Sequence, residues 1–308
     1  MNKNKKISIC IPVYNGARTI ENLVGEVMEK LNAYELEVIL VNDGSKDDSE
    51  SICVELSKKY EFVKFIGLRK NFGEHNAVLC GLNYVTGDYA VIIDDDFQNP
   101  PSEIVKLIET AESNDCDVVY SKYVKKKHHW LRNISSKVND LFATWLLDKP
   151  KGLYLSSFKL INKEVVAEII KYKGPFPYID GLLLRVTDSI QSVTVEHSER
   201  KSGESNYTLG KLVSLWLNMF VNFSIKPLRL ALISGVAISL LSFLAGMFFL
   251  IEKLVNPEIS MGWTSLIVSV LFLAGVQLIF MGLLGEYLGK QYLDQNKTPL
   301  TVVKKEYL

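Results

Sequence analysis

Three consecutive carboxylates, Asp94-Asp95-Asp96, run into Phe97-Gln98-Asn99-Pro100-Pro101. Carboxylates crowded together repel one another, so such a run is unfavourable unless a cation is present. Hard oxygen donors of this kind select Mg2+ or Mn2+. Two smaller polar clusters, Pro12-Val13-Tyr14-Asn15 and Asn42-Asp43-Gly44-Ser45, precede it in the chain. Either alone is weak, because Asp-Gly-Ser is most often an ordinary turn and helix cap. The chain has no GxGxxG and no GxxxxGK[ST], so the dinucleotide and P-loop fingerprints are missing. A metal ion bridging a diphosphate without a P-loop suggests a sugar-nucleotide enzyme.

The elements that must position these residues alternate between strand and helix over residues 7–121. ISICIPV, LEVILV, FVKFIGL, YAVIID and DVVYSK read as β-rich strands. Between them lie helical periods: Ile20, Leu23, Val24, Val27 and Leu31, then helices near 47–59 and 74–85, then one starting at Pro101. Continuous apolar strands alternating with helices predict a mostly parallel α/β sheet covered by helices on both faces. Ligands of such sheets bind beyond the carboxyl ends of the strands. All three polar clusters directly follow strands.

The chain has 308 residues, with 35 basic and 35 acidic side chains, and its net charge is zero. That balance argues against a nucleic-acid partner. Mean hydropathy is +0.12 although 23% of residues are charged, so the two kinds of residue are segregated. Residues 227–308 hold only 11 of the 70 charges. Twenty-two uncharged residues separate Arg229 from Glu252, and 27 separate Glu258 from Glu286. Each run exceeds the ~20 apolar residues that cross a bilayer. Lys211, Lys226 and Arg229 precede the pair, and Lys290, Lys297, Lys304 and Lys305 follow it. By the positive-inside rule both outer ends and the large domain face the cytoplasm of a multi-pass protein of the cell membrane.

Two stripes at helical spacing, Trp130 to Trp145 and Leu209 to Phe223, read equally as core helices or as helices lying in the lipid interface. The expected division is a domain at 1–205, an interfacial helix at 206–227, and two membrane helices at about 230–251 and 262–285 ahead of a short cytoplasmic tail. Cys10, Cys53, Cys80 and Cys116 form no CxxC pair and are expected to be reduced, as in a cytoplasmic domain. The start, MNKNKKISIC, lacks the apolar length of a signal peptide.

Together IPVYN, VNDGS, LRKNFGEHNAVLCGLNYVTGD, IDDDFQNPP and RKSGESNY (200–207) resemble family 2 glycosyltransferases acting on polyprenyl phosphates, of the dolichyl-phosphate-mannose synthase and bacterial undecaprenyl-phosphate types. The resemblance covers roughly residues 5–225. It implies a GT-A fold and an inverting transfer from a nucleotide sugar to a lipid phosphate, with Mg2+ or Mn2+ as cofactor. A uridine diphosphate sugar is the favoured donor and undecaprenyl phosphate the favoured acceptor. The lipid bilayer is then a partner, and a homo-oligomer is left open.

By position, the resemblance assigns Pro12, Tyr14, Asn15 and Asp43, with Asp94 and Asp95, to the nucleotide. It assigns Asp94, Asp96 and Gln98 to the metal, with Asp94, Asp96 and Arg200 carrying catalysis. Lys122, Arg132 and Ser136 match acceptor-phosphate positions, and Asp180 and Ser205 are candidates for positioning the sugar or acceptor. In sequence terms alone, Asp180 reads best as a helix N-cap or turn acid. Four departures stand out: Gly16 where many members have glutamate, Asp95 for a common alanine, Asn206 for a frequent lysine, and Ser157 where many bacterial members carry aspartate.

A lipid phosphate is already mostly dianionic at neutral pH, since its second pKa is about 6. It therefore needs positioning and charge screening rather than a general base. A processive polysaccharide synthase would need a QxxRW element, which is missing. A non-catalytic membrane protein that binds sugar nucleotides would predict decay of the acidic run or of RxxGxS, and both are intact. A transporter would need ionisable residues within the spans.

Overall fold

The computed structural model describes residues 5–123, 144–196, 226–256 and 262–308. The chain divides into two units, one of residues 1–207 and 297–308, the other of residues 208–296.

The first unit is built on an eight-stranded sheet in the order β7-β5-β6-β4-β1-β2-β3-β8. Its strands are β1 (Lys6–Val13), β2 (Glu35–Asn42), β3 (Val63–Leu68), β4 (Tyr89–Ile92), β5 (Val118–Tyr123), β6 (Lys159–Asn162), β7 (Ile190–Val195) and β8 (Val303–Tyr307). The pairs β4/β1, β1/β2, β2/β3 and β5/β7 are parallel. Strands β6 and β8 run the other way. The expected mostly parallel sheet is therefore present, with two antiparallel additions.

Strand period decides what each face buries. Ile7, Ile9, Ile11 and Val13 of β1 join Val38 and Leu40 of β2 on one face. Helix α1 (Ile20–Lys30) packs there through Ile20, Leu23, Val24 and Val27, and α4 (Ile104–Asn114) through Ile104, Leu107, Ile108 and Ala111. Ile39, Val41, Ile66 and Leu68 point to the opposite face, where Ala77 and Cys80 of α3 (Glu74–Leu82) cover them. Helix α2 is Ser49–Lys59. Helix α3 stops at Leu82, short of residue 85, because the Asn83 amide bonds back to the Cys80 carbonyl at 3.2 Å and tightens the last turn. Two short helices, α5 (Lys163–Ile169) and α6 (Ile179–Val186), follow β6. All four cysteines are free and buried.

The second unit contains α7 (Lys226–Val255, 30 residues) and α8 (Trp263–Gln295, 33 residues). Both are long and apolar enough to cross a membrane; a 30-residue helix is about 45 Å long against a hydrocarbon core of about 30 Å. Their apolar side chains are exposed: Leu232, Leu241, Phe243, Phe249 and Ile279 are each more than 60% accessible.

The chain beyond α8 returns to the first unit, where β8 pairs with β3. The tail is thus a structural part of the domain as well as an end. The stripe at 209–223 lies outside the described residues, as does the stripe at 130–145 apart from its last member, the exposed Trp145.

Candidate active site

Strands β1, β2, β3 and β4 are parallel, so their carboxyl ends share one edge, and the polar clusters meet there. Asn15 follows β1 in a left-handed conformation (φ 57°). Its amide donates to Ser45 Oγ at 3.0 Å, and its Oδ1 accepts from the Lys46 amide at 2.9 Å. The first two clusters are thereby locked together. The Tyr14 amide donates to Asp95 Oδ2 at 3.2 Å, which ties in the third. Pro12 is buried within β1, while the Tyr14 side chain is 46% exposed at the site.

Asp43 is buried, and its two carboxylate oxygens accept from the amides of Phe72 (2.7 Å) and Gly73 (2.9 Å). Burial pushes its pKa up, against those two hydrogen bonds. Asp43 thus shapes the 69–73 loop. Beside it, Gly44 has φ +64°, and a β-carbon there would lie 2.5 Å from the Lys70 carbonyl carbon. Only glycine allows this approach of two backbones.

The acidic run forms the floor. The Ser157 hydroxyl donates to Asp94 Oδ2 at 2.5 Å. Asp96 Oδ1 accepts from the Gln98 amide at 3.1 Å, across a turn in which Phe97 is left-handed (φ 61°). Asp95 has its pKa pushed up to about 7, first by burial and then by the charges of Asp94 and Asp96, with the Tyr14 amide opposing. Among the described residues no three His, Cys, Asp or Glu side chains converge as a ready-made metal cage. Mg2+ is commonly held by one or two carboxylates completed by substrate phosphates. Asp94, Asp96 and Gln98 on one short turn, with negative charge to spare, fit an ion held in that way.

Strand β5 is parallel to β4, since both are antiparallel to β6. Its end therefore brings Lys122, exposed, to the same edge. Its last residue, Tyr123, donates through its hydroxyl to Asn99 Oδ1 at 2.8 Å, and Ser121 and Ser156 share a 2.5 Å hydrogen bond. Arg132, Ser136, Arg200 and Ser205 lie outside the described residues.

Asp180 is placed differently from its best sequence reading. It lies in the first turn of α6, whose N-cap residue is Tyr178. Its buried carboxylate pairs with Lys159 and accepts from the Tyr120 hydroxyl at 2.9 Å. Buried charge must be paired in this way, which explains a lysine only 3% accessible at the start of β6.

Two neighbours were missed in sequence. Glu74 opens α3 as an exposed residue close enough to Asp94 to feel its charge. Desolvation first and the Asp94 charge second push its pKa up to about 7, with Lys159 opposing. His75 packs edge-on against Tyr178 with ring centroids 5.0 Å apart, and burial lowers its pKa to about 4, which keeps it neutral. Both sit inside the quoted LRKNFGEHN stretch, but only the fold shows that Glu74 lies near Asp94 and that His75 packs on Tyr178.

Residues 8–170 match Glycosyl transferase family 2. The chain is 32% identical to an uncharacterized glycosyltransferase, YkcC, of Bacillus subtilis, over 100% of this chain and 96% of the relative. It is 32% identical to an undecaprenyl-phosphate 4-deoxy-4-formamido-L-arabinose transferase of Yersinia enterocolitica, over 98% and 94% of the two chains. A bactoprenol glucosyl transferase of Shigella flexneri is 33% identical over 98% of each. Glucosyl-3-phosphoglycerate synthase of Mycobacterium tuberculosis, solved with Mn2+, uridine diphosphate and phosphoglyceric acid, superposes with a TM-score of 0.53 at 19% identity, covering 70% and 76% of the chains. That likeness supports the GT-A type of fold expected from the sequence. With a match over more than half its length and relatives over nearly all of it, the chain belongs to the family 2 glycosyltransferases.

Proposed function

We propose that this glycosyltransferase moves a sugar from a nucleotide sugar, with uridine diphosphate the favoured carrier, to the phosphate of a polyprenyl phosphate such as undecaprenyl phosphate. The observation that carries the reading is the locking of three loops at one sheet edge, through Asn15 to Ser45 and Lys46 and through Tyr14 to Asp95. The acceptor is supported by full-length relatives named for undecaprenyl phosphate or bactoprenol, and the donor by the structural neighbour solved with uridine diphosphate.

In this reading a phosphate oxygen of the acceptor attacks the anomeric carbon with inversion. The bond from that carbon to the nucleoside diphosphate breaks, and the diphosphate leaves with the electron pair. Tyr14 and Asn15 hold the nucleoside, and Asp43 keeps the adjoining loop in place. Asp94, Asp96 and Gln98 would hold Mg2+ or Mn2+ together with the diphosphate, and the ion when bound supplies a Lewis acid for the leaving group. Lys122 and Arg132 would offset charge on the acceptor phosphate, which Ser136 would also contact, and Arg200 would close over the donor diphosphate. Asp180, locked between Lys159 and Tyr120, is not needed as a base because the phosphate is already ionised.

The pairing of β8 with β3 supports a hairpin topology. A chain that leaves the domain, passes through two apolar helices and rejoins the same sheet must cross the bilayer an even number of times. With basic residues flanking both outer ends, the domain is cytoplasmic.

The test is a donor screen with purified protein and undecaprenyl phosphate, read by the mass of the lipid product. A lipid-phosphate sugar formed from one nucleotide sugar is expected. Transfer to water or to a free sugar hydroxyl, with no lipid product from any donor, would overturn the reading.

A further inference from the structure

Strand β8 does more than extend the sheet. It runs antiparallel to β3 with Phe65 opposite Tyr307, Ile66 opposite Glu306, Gly67 opposite Lys305 and Leu68 opposite Val303. Its beginning therefore lies at the carboxyl end of β3, on the active-site edge. There the Arg69 amide donates to the Val302 carbonyl at 2.9 Å. The Val303 side chain packs with the cluster of Ile66, Leu68, Phe72 and Ala77. The far end is anchored separately: Tyr84 donates to Glu306 at 2.8 Å, and the rings of Phe65 and Tyr307 lie 6.2 Å apart.

The segment gripped in this way leads straight into the loop whose Phe72 and Gly73 amides are held by Asp43. We propose that Val302 and Val303 are a positioning element of the nucleotide site: the tail fixes Arg69, the 69–73 loop keeps its shape, and Asp43 and the Gly44 turn are held in register. The proposal rests on the nucleotide reading above and adds that donor affinity depends on a segment emerging from the second apolar helix. A contact restricted to the far end of β8 would have no such consequence. The bond at Val302 brings the effect to the loop itself.

The experiment compares the full chain in detergent with a version lacking residues 300–308, using uridine diphosphate with Mn2+ as the probe. Calorimetry should show the dissociation constant raised about tenfold or more, and amide exchange at Phe72 and Gly73 should accelerate by about as much. Exchange in α4, on the other face of the sheet, should stay as in the intact chain. A synthetic peptide of residues 298–308, added in trans, should reverse both effects. Exchange at Phe72 and Gly73 within about twofold of the intact chain would overturn the proposal. So would a uniform acceleration, α4 included, that the peptide does not reverse. If the shortened chain does not fold, the full chain carrying Val303→Ser and Tyr307→Ser is read by the same exchange comparison. An intact chain that bound no uridine diphosphate would count against the nucleotide reading alone, because exchange at Phe72 and Gly73 still decides whether the tail governs the loop.

Discussion

Gly16 and Asp95 share one space: a β-carbon at position 16 would lie 2.2 Å from Asp95 Oδ2 and 2.9 Å from its carboxyl carbon. The same Oδ2 accepts the Tyr14 amide. A missing side chain on one loop and an added carboxylate on another are thus a single packing unit. Gly16→Ala should cost about 1–3 kcal/mol through overpacking. Asp95→Ala should relieve most of that cost, giving a coupling of about 1 kcal/mol or more in a double-mutant cycle. Denaturant unfolding of the four proteins measures it, and additive effects would mean that the two positions do not compete.

Asp96→Asn keeps an oxygen to accept the Gln98 amide, so the turn should survive. The charge is lost, and with it Mn2+ binding by calorimetry and sugar transfer. Chelation of the wild type should mimic the variant. Turnover near wild type in both cases would remove the metal from the mechanism.

Asp180→Asn leaves Lys159 buried without a counter-charge, which should cost about 3–5 kcal/mol of stability. Per folded molecule, kcat should fall only modestly and stay flat from pH 6 to 9. General-base assistance is worth roughly 10²–10⁴-fold. A thousandfold loss of kcat with donor and lipid binding preserved would therefore make Asp180 a base after all.

Glu37 carries the pH dependence of the scaffold. It is buried on β2 and accepts from Ser8 (2.6 Å) and from the amide and hydroxyl of Thr86 (3.0 and 2.8 Å), with Lys64 at 2.8 Å. Burial would raise its pKa, but Lys64, Ser8 and Thr86 outweigh that and lower it from 4.5 to about 2. A carboxylate depressed by folding stabilises fully above its unfolded pKa, and that contribution fades as pH falls through the folded one. Urea midpoints of wild type and Glu37→Gln should therefore differ most near neutrality and converge from pH 4.5 down to about 2. A gap independent of pH would show that the ionised form is not what matters.

Orientation can be read with two reporters. One placed at Asn256, directly after α7, should be extracytoplasmic, and one at Leu308, directly after β8, cytoplasmic. Both on one side would exclude a hairpin.

Strands β1 to β5 were legible because each carries an apolar run and each site cluster directly follows one; β7, IQSVTV, is parallel too but mostly exposed, and was not. The two long apolar helices were legible from the uncharged runs after Arg229 and Glu258. Strand β8 was not, since VKKEY is short, charged and borders only β3. Its pairing depends on an edge more than 230 residues earlier in the chain, which no local pattern records. Asp180 reads in sequence as a cap or turn acid and Lys159 carries no signal there; only the fold brings the two together as a buried pair. The substitutions at 16 and 95 were each visible, yet read separately they looked like one lost contact and one gained charge.

The edge position of β8 also orders the assembly of the molecule in time. Residues 303–307 are synthesised after α7 and α8, so the sheet has only seven strands while those apolar helices are being made. Until β8 arrives, the outer side of β3 presents unpaired amides and carbonyls, the kind of edge to which another strand can add. The strand that arrives carries Lys304, Lys305 and Glu306, charges that discourage a further partner from pairing beyond it. Completion of the sheet is in this way deferred until both long apolar helices exist.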